Sequence, residues 1–216
     1  RDANDKELSA FGKYDGEYLE FGVENTDDAA YPITLDPDFS GSTADGFVWG
    51  QSATYSTARS TSSDYVSGDA ELRVGQRFAS SFYYVFRSFL KFDTSSITES
   101  GTVSQVNLKL TIQRDYSTTD FDVQVVKQDW SSQDPLSDDN REAAYDNCLS
   151  GTADDNIWRN TGNISEGSTY TSGNLNTSWI NKTGSTYYSL RSSRDKNENT
   201  PTGDEYIRIY SANSTT

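Results

Sequence analysis

The side chains available for chemistry in this sequence are mainly hydroxyls, lysines and carboxylates, because the chain has no histidine and one cysteine. The absence of histidine excludes histidine-based triads and histidine-ligated zinc sites. Ser88 and Lys91 have the S-x-x-K spacing of a catalytic pair, which requires a helix to bring both side chains to one face. The alternating pattern around them predicts a strand, whose opposite faces would carry the two residues. We therefore expect no serine nucleophile here.

Carboxylates occur as adjacent pairs, Asp138 with Asp139 and Asp154 with Asp155. A glycosidase needs two acids about 5 to 9.5 Å apart across a sugar bond. Adjacent acids in polar segments are usually solvated turn residues instead. With no nucleophile beside a positioned base, the sequence predicts a protein that is not an enzyme.

Three acids near the start of the main domain are candidate ligands for a structural Ca²⁺: Asp36, Asp38 and Asp45. Asp36 and Asp38 begin like an EF-hand loop, but Phe47 stands at the twelfth position, where that loop needs a bidentate glutamate. A looser calcium site and a set of solvated turn acids both remain open. No other cofactor is expected.

Three features concern the compartment. The sequons at Asn163, Asn176, Asn181 and Asn213 are candidate glycosylation sites. The single Cys148 cannot form an internal disulfide and is predicted to be a small buried or half-buried hydrophobe. A chain without methionine is expected to be a processed part of a longer exported precursor. Together these favour an extracellular or cell-surface location.

Charge and composition exclude several partners. The formal charge of −15 would repel nucleic acids and anionic lipid surfaces. No apolar run approaches the roughly 20 residues that cross a bilayer, so no membrane insertion is expected. Aromatic residues make up 13% of the chain, which is typical of β-rich proteins.

Period-two alternation recurs along the chain and predicts strands. The predicted segments are 47 to 49, 71 to 74, 82 to 92, 106 to 112, 121 to 127, 187 to 190 and 206 to 210. Helical periodicity over three turns is absent, and only residues 176 to 181 suggest a short capped turn. We expect an all-β fold, a jelly-roll-like antiparallel β-sandwich. The polar region 128 to 185 carries Trp130, Trp158 and Trp179, which predicts a loop packed down by its own rings.

The strand from 82 to 92 has large residues on both faces, as expected for a central strand covered on both sides. One face carries Arg87, Phe89 and Lys91. We predict that the 128 to 185 region or a neighbouring subunit covers this face, so that it is neither a catalytic nor a sugar site.

The first 36 residues form a separate N-terminal β extension, with strands expected at 18 to 23 and near 31 to 35. The sequence thus predicts two parts, residues 1–36 and a sandwich at 37–216. Tyr18, Leu19, Phe21 and Val23 are the candidate residues for donating a strand to another subunit.

Seven segments in order resemble the DNRLRE family, also called disaggregatase-related repeats, of large exported archaeal and bacterial proteins. They are "ADGFVWG" (44 to 50), "ELRVGQ" (71 to 76), "RSFLKFDTSSI" (87 to 97), "VNLKLTI" (106 to 112), "FDVQVVKQDW" (121 to 130), "NTSWINKTGSTYYSLRSSRD" (176 to 195) and "PTGDEYIRIYS" (201 to 211). The resemblance implies a jelly roll like that of carbohydrate-binding modules, without catalytic activity. Family members usually add a further closing strand after the last segment, so a strand is expected to be missing here.

Two functions follow as hypotheses. The first is a structural subunit of an extracellular filament, sheath or surface layer, whose partners are further copies of the chain joined by β-strand contacts. The second is a carbohydrate-binding or adhesion module of a larger exported protein. It would present Trp49, Tyr55, Tyr65 or Tyr83 to glycans.

Overall fold

The computed structural model describes residues 10–14, 19–23, 38–68 and 71–212. The chain divides into two compact units, Arg1–Asp38 and Phe39–Thr216. In the first unit, β1 (Ala10–Tyr14) and β2 (Leu19–Val23) pair antiparallel. Tyr18, Asp36 and the strand predicted near 31 to 35 lie outside the described residues.

The second unit contains an 11-stranded antiparallel sheet and short helices. Its strands are β3 (Gly46–Ser52), β4 (Asp64–Ser67), β5 (Glu71–Ala79), β6 (Phe82–Asp93), β7 (Lys109–Asp115), β8 (Asp122–Lys127), β9 (Thr152–Ala153), β10 (Arg159–Asn160), β11 (Thr169–Thr171), β12 (Ser185–Ser192) and β13 (Asp204–Tyr210). Its α-helices are α1 (Tyr55–Ser60), α2 (Arg141–Ser150) and α3 (Ser193–Lys196). Turns of 3₁₀ helix occupy Ser131–Gln133, Thr161–Asn163 and Thr177–Trp179.

The sheet runs in the order β10-β8-β12-β6-β5-β13-β7-β11, and β3 pairs with the other edge of β6. It curls until the inner faces of β5, β13 and β7 pack against those of β6, β12 and β8. The main core between them contains Leu72, Val74, Leu90, Leu110, Ile112, Val123, Val125, Leu190, Ile207 and Ile209. The fold is therefore all-β, antiparallel and sandwich-like, as the alternation predicted.

β6 connects the two halves of the sandwich because different strands pair with its two ends. On one edge, residues 82–86 pair with β5, while residues 88–93 pair with β12. β5 stops pairing with β6 at Gly75, whose φ of +124° is accessible to glycine and strained for other residues. A β-carbon there would lie 2.3 Å from the carbonyl oxygen of Glu205. Residues 71–74 consequently leave β6 and keep β13 as their ladder partner.

The region 128 to 185 departs most from expectation. It includes α2 and three short strands, not only a loop, because α2 has few apolar residues to reveal it: Ala144, Tyr145 and Cys148 are its buried ones. The prediction about its rings is confirmed, since Trp130 and Trp158 are buried and Trp179 packs on the core.

Two local predictions can also be compared with the structure. The strand expected from residue 106 begins only at Lys109. The N–H groups of Val106 and Leu108 donate to the side chains of Asn174 and Ser172 instead of to a strand. The capped turn is confirmed, because Asn176 accepts a bond from the Ser178 N–H at the start of Thr177–Trp179.

Candidate functional site

The second face of β6 is a covered surface. Arg87 and Phe89 are both fully buried. Phe89 packs edge-on against Trp130, with ring centroids 5.9 Å apart. Leu136, from the segment before α2, belongs to the same apolar cluster. The prediction that the 128 to 185 region covers this face is confirmed, within a single chain.

The charge on this face is neutralised inside the protein. Asp195 accepts two bonds from Arg87, 2.8 Å from Nε and 3.0 Å from Nη2. Arg59 donates to the same carboxylate at 3.1 Å. The guanidinium of Arg87 also lies 3.8 Å from the ring centroid of Tyr145 and donates to its carbonyl. With every member of the cluster engaged, the arrangement fixes the covering helices in place and leaves no free base or acid.

Lys91, the third residue of this face, ends in an ion pair. Its Nζ lies 2.6 Å from Oδ2 of Asp134, and this bond raises the pKa of Lys91. Ser88 is on the other face, where its hydroxyl donates to the carbonyl of Arg73. Ser88 and Lys91 are thus not brought together, in agreement with the strand interpretation.

The remaining candidates for catalysis are engaged locally, exposed on the surface or buried. Asp154 accepts bonds from the N–H groups of Asn156 and Asn176, as a loop-fixing acid does. Asp138 and Asp139 are exposed beside α2. Cys148 is fully buried, as predicted, and burial raises the pKa of its thiol, which keeps it protonated.

The candidate calcium ligands are not assembled into a site by the described residues. Asp38 is exposed, Asp45 is buried, and the described residues contain no group of three His, Cys, Asp or Glu side chains positioned to hold a metal ion. Asp45 instead accepts a bond at 2.9 Å from the N–H of Lys91. Burial, together with the charge of Asp134, raises the pKa of Asp45 to about 7, against the opposing effect of backbone bonds from Lys91 and Ser42.

The aromatic residues considered for glycan binding are largely occupied by packing. Tyr55 is buried and donates to Gln76 at 2.5 Å. Tyr65 and Tyr83 pack against the cluster around Phe89. Trp49 is half-buried beside Phe47, with ring centroids 5.5 Å apart. These rings do not form one open platform.

Three of the candidate glycosylation residues can be located. Asn163, Asn176 and Asn181 are all exposed, and Asn213 lies outside the described part of the chain. Asn181 resembles Asn176 in local geometry, because its side-chain oxygen accepts bonds from the N–H and hydroxyl of Thr183. All three are accessible on the surface for modification.

A groove of about 260 Å³ opens where four strands begin or end. Leu72 of β5, Leu90 and Phe92 of β6, Leu110 of β7 and Tyr210 of β13 contribute its apolar wall. Asp45 also lines the groove. Beside it, residues 71–74 of β5 pair with β13 on one edge, and no described strand pairs with their second edge. Sequence reasoning missed this groove because its walls come from strands distant in the chain.

No protein-family model and no curated protein matches this chain. The resemblance to DNRLRE modules stays a prediction. Within the described residues, no helix is both long and apolar enough to span a membrane.

Proposed function

We propose that this protein is a non-catalytic structural subunit of an extracellular filament, sheath or surface layer, assembled by β-strand contacts between copies. The observation that carries the proposal is the second edge of β5 at residues 71–74, which lies beside a groove with an apolar wall and has no strand partner among the described residues. One of its backbone groups, the carbonyl of Arg73, already accepts a bond from Ser88. Strand edges with unpaired backbone groups accept a further strand, and alternate side-chain pockets give the contact its specificity.

The proposed occupant is β2 of a neighbouring copy. Its sequence places apolar residues at alternate positions, Leu19, Phe21 and Val23, which is the pattern that a groove with one apolar wall selects. β2 pairs with β1 in a two-stranded sheet, so each strand has one further edge. A donated hairpin can therefore add to β5 while β1 and β2 remain paired.

Donation between copies is a head-to-tail contact, which extends without limit unless its rotation closes a ring. This is why the proposal predicts a filament or a layer. The exposed sequons at Asn163, Asn176 and Asn181 are compatible with an exported protein.

A carbohydrate-binding module that uses Trp49, Tyr55, Tyr65 or Tyr83 is the less supported function. One of these rings is buried and the others are half-buried in aromatic clusters. An aromatic sugar platform needs ring faces open to solvent.

Deleting residues 1–36 is the direct test of assembly. The truncated protein should remain a soluble sandwich and fail to form filaments in electron microscopy. Within β2, Phe21→Ser should weaken assembly. Glu20→Ser changes the neighbouring residue, which the strand alternation places on the other face, and should change assembly much less. Filaments of unchanged form from the truncated protein would contradict strand donation, as would equal effects of the two point variants.

A further inference from the structure

An arginine row crosses the outer face of β5, β13 and β7. Arg208 on β13 lies directly opposite Arg73 on β5 and Arg114 on β7. Residues opposite each other in antiparallel strands share one face of the sheet. In a chain with a formal charge of −15, such a concentration of cations is unusual and needs a physical reason.

Neighbouring acids hold the row in place. Glu71 accepts from both Arg73 and Arg208, at 3.1 Å from Nη1 of Arg208. Glu166 lies 2.8 Å from Nη1 of Arg114. The guanidinium of Arg208 also lies 5.4 Å from the ring centroid of Tyr116. These contacts fix the guanidinium planes while leaving several of their N–H donors free for a ligand.

A polar cleft of about 540 Å³ lies on this row. Its lining residues are Gln113, Arg114, Glu166, Gly167, Arg208 and Tyr210. Two guanidinium groups and one carboxylate line the cleft. Because Arg208 is also paired with Glu71, the excess positive charge belongs to the whole row, in which three arginines face two glutamates. Gln113 Oε1 and Arg208 Nε are buried and have no hydrogen-bond partner among the described residues. A cleft on a row with one excess positive charge, and with unsatisfied polar atoms in its wall, is suited to a polar ligand that carries one negative charge.

We propose that this cleft binds a carboxylate-bearing sugar of the uronic acid class. The carboxylate bonds to Arg208 and Arg114, whose planar groups suit two parallel bonds to a carboxylate. Gln113 and Tyr210 provide hydrogen-bonding groups for the sugar hydroxyls. Since the whole protein is strongly acidic, a sugar with one charge per ring is favoured over a dense polyanion such as a nucleic acid.

Strand donation uses the edge of β5, whereas this cleft lies on the outer face of β13 and β7, so the two proposals are tested separately even though Tyr210 lines both the groove and the cleft. An acidic loop of a second copy would satisfy the same arginines, but a cleft with polar walls gives it little apolar surface to bury. The choice between a sugar and a second copy is decided by the experiment.

Isothermal titration of the full chain with digalacturonate and with neutral galactobiose tests the site. Digalacturonate should bind, more weakly at high salt, and galactobiose should not. Arg208→Gln and Arg114→Gln should each weaken binding about tenfold or more. Arg141→Gln makes the same charge change on α2, outside the cleft, and should leave binding unchanged.

Arg208→Lys preserves the charge but loses the planar fork, so it should also weaken binding, and its melting temperature checks that the fold is retained. No binding of digalacturonate, or equal binding of both disaccharides, would overturn the proposal. So would a loss of self-association in Arg208→Gln without any change in sugar affinity, because the cleft would then serve a second copy.

Discussion

Replacing Asp45 by asparagine should remove a large pH dependence from the stability of the sandwich. Asp45 is 2% exposed and lines the groove at the strand ends. Asparagine keeps an oxygen that can accept the 2.9 Å bond from the Lys91 N–H, and it has nearly the same shape. The charge facing Asp134 and Lys91 is therefore the main property that changes.

The sign follows from the direction of the shift. The pKa of Asp45 is raised from 3.8 to about 7 in the folded protein, so the folded state binds its proton more tightly than the unfolded chain does. Below about pH 4 both states are protonated, and the group costs nothing. As pH rises from about 4 through 7, the folded protein loses stability. The loss is roughly 4 kcal/mol, because the pKa of Asp45 is higher by about three in the folded state.

Urea unfolding at a series of pH values from 4 to 9 measures the effect. Asp45→Asn should be up to several kcal/mol more stable than the wild type at pH 8 and nearly equal to it at pH 4. Asp155→Asn, which removes an exposed acid, should follow the wild-type curve. If the difference between Asp45→Asn and the wild type is the same at pH 4 and pH 8, the assigned pKa is wrong. If Ca²⁺ stabilises the wild type at pH 8 but not this variant, Asp45 is instead a cation ligand.

Two further predictions concern the covered face of β6. Asp195→Asn leaves the buried Arg87 without its carboxylate and Arg59 with only the exposed Glu198, and it should lower the free energy of unfolding by about 3 to 5 kcal/mol. Asp138→Asn, which removes a largely exposed partner, should cost less than about 1 kcal/mol in the same urea titration. Cys148 should react with a thiol reagent at the rate of global unfolding, and fast labelling of the native protein would contradict its burial.

Much of the sandwich could be predicted because its strands alternate strictly between core and outer positions. In β8, Val123 and Val125 face the main core, and in β13, Ile207 and Ile209 do so. Cover on the second face of β6 was also predictable, because Phe89 is a large apolar residue on the side opposite the core. Local pattern alone carries this information, since period two fixes which residues share a face.

The buried charges were not predictable in the same way. Asp195 pairs with Arg87 across 108 positions of sequence. Nothing in its own neighbourhood distinguishes it from a solvated turn acid. Asp45 likewise looks like a surface residue, yet it is buried and accepts a bond from the N–H of Lys91 in another part of the chain. Long-range pairing of single polar residues leaves no periodic signal in a sequence.

The hidden helix α2 follows from the same cause. A ten-residue helix is marginal alone, and its last carbonyl groups have no partners within the helix. The strands provide partners for two of them, because Arg191 of β12 donates to the carbonyls of Cys148 and Leu149, and also to that of Gly151 just after the helix. Arg87 of β6 donates to the carbonyl of Tyr145, one turn earlier. Positive charge is also favourable at the carboxyl end of a helix. The cations on the covered face of the sheet therefore fix a helix in place, and their burial explains why this face is unsuited to bind an external ligand.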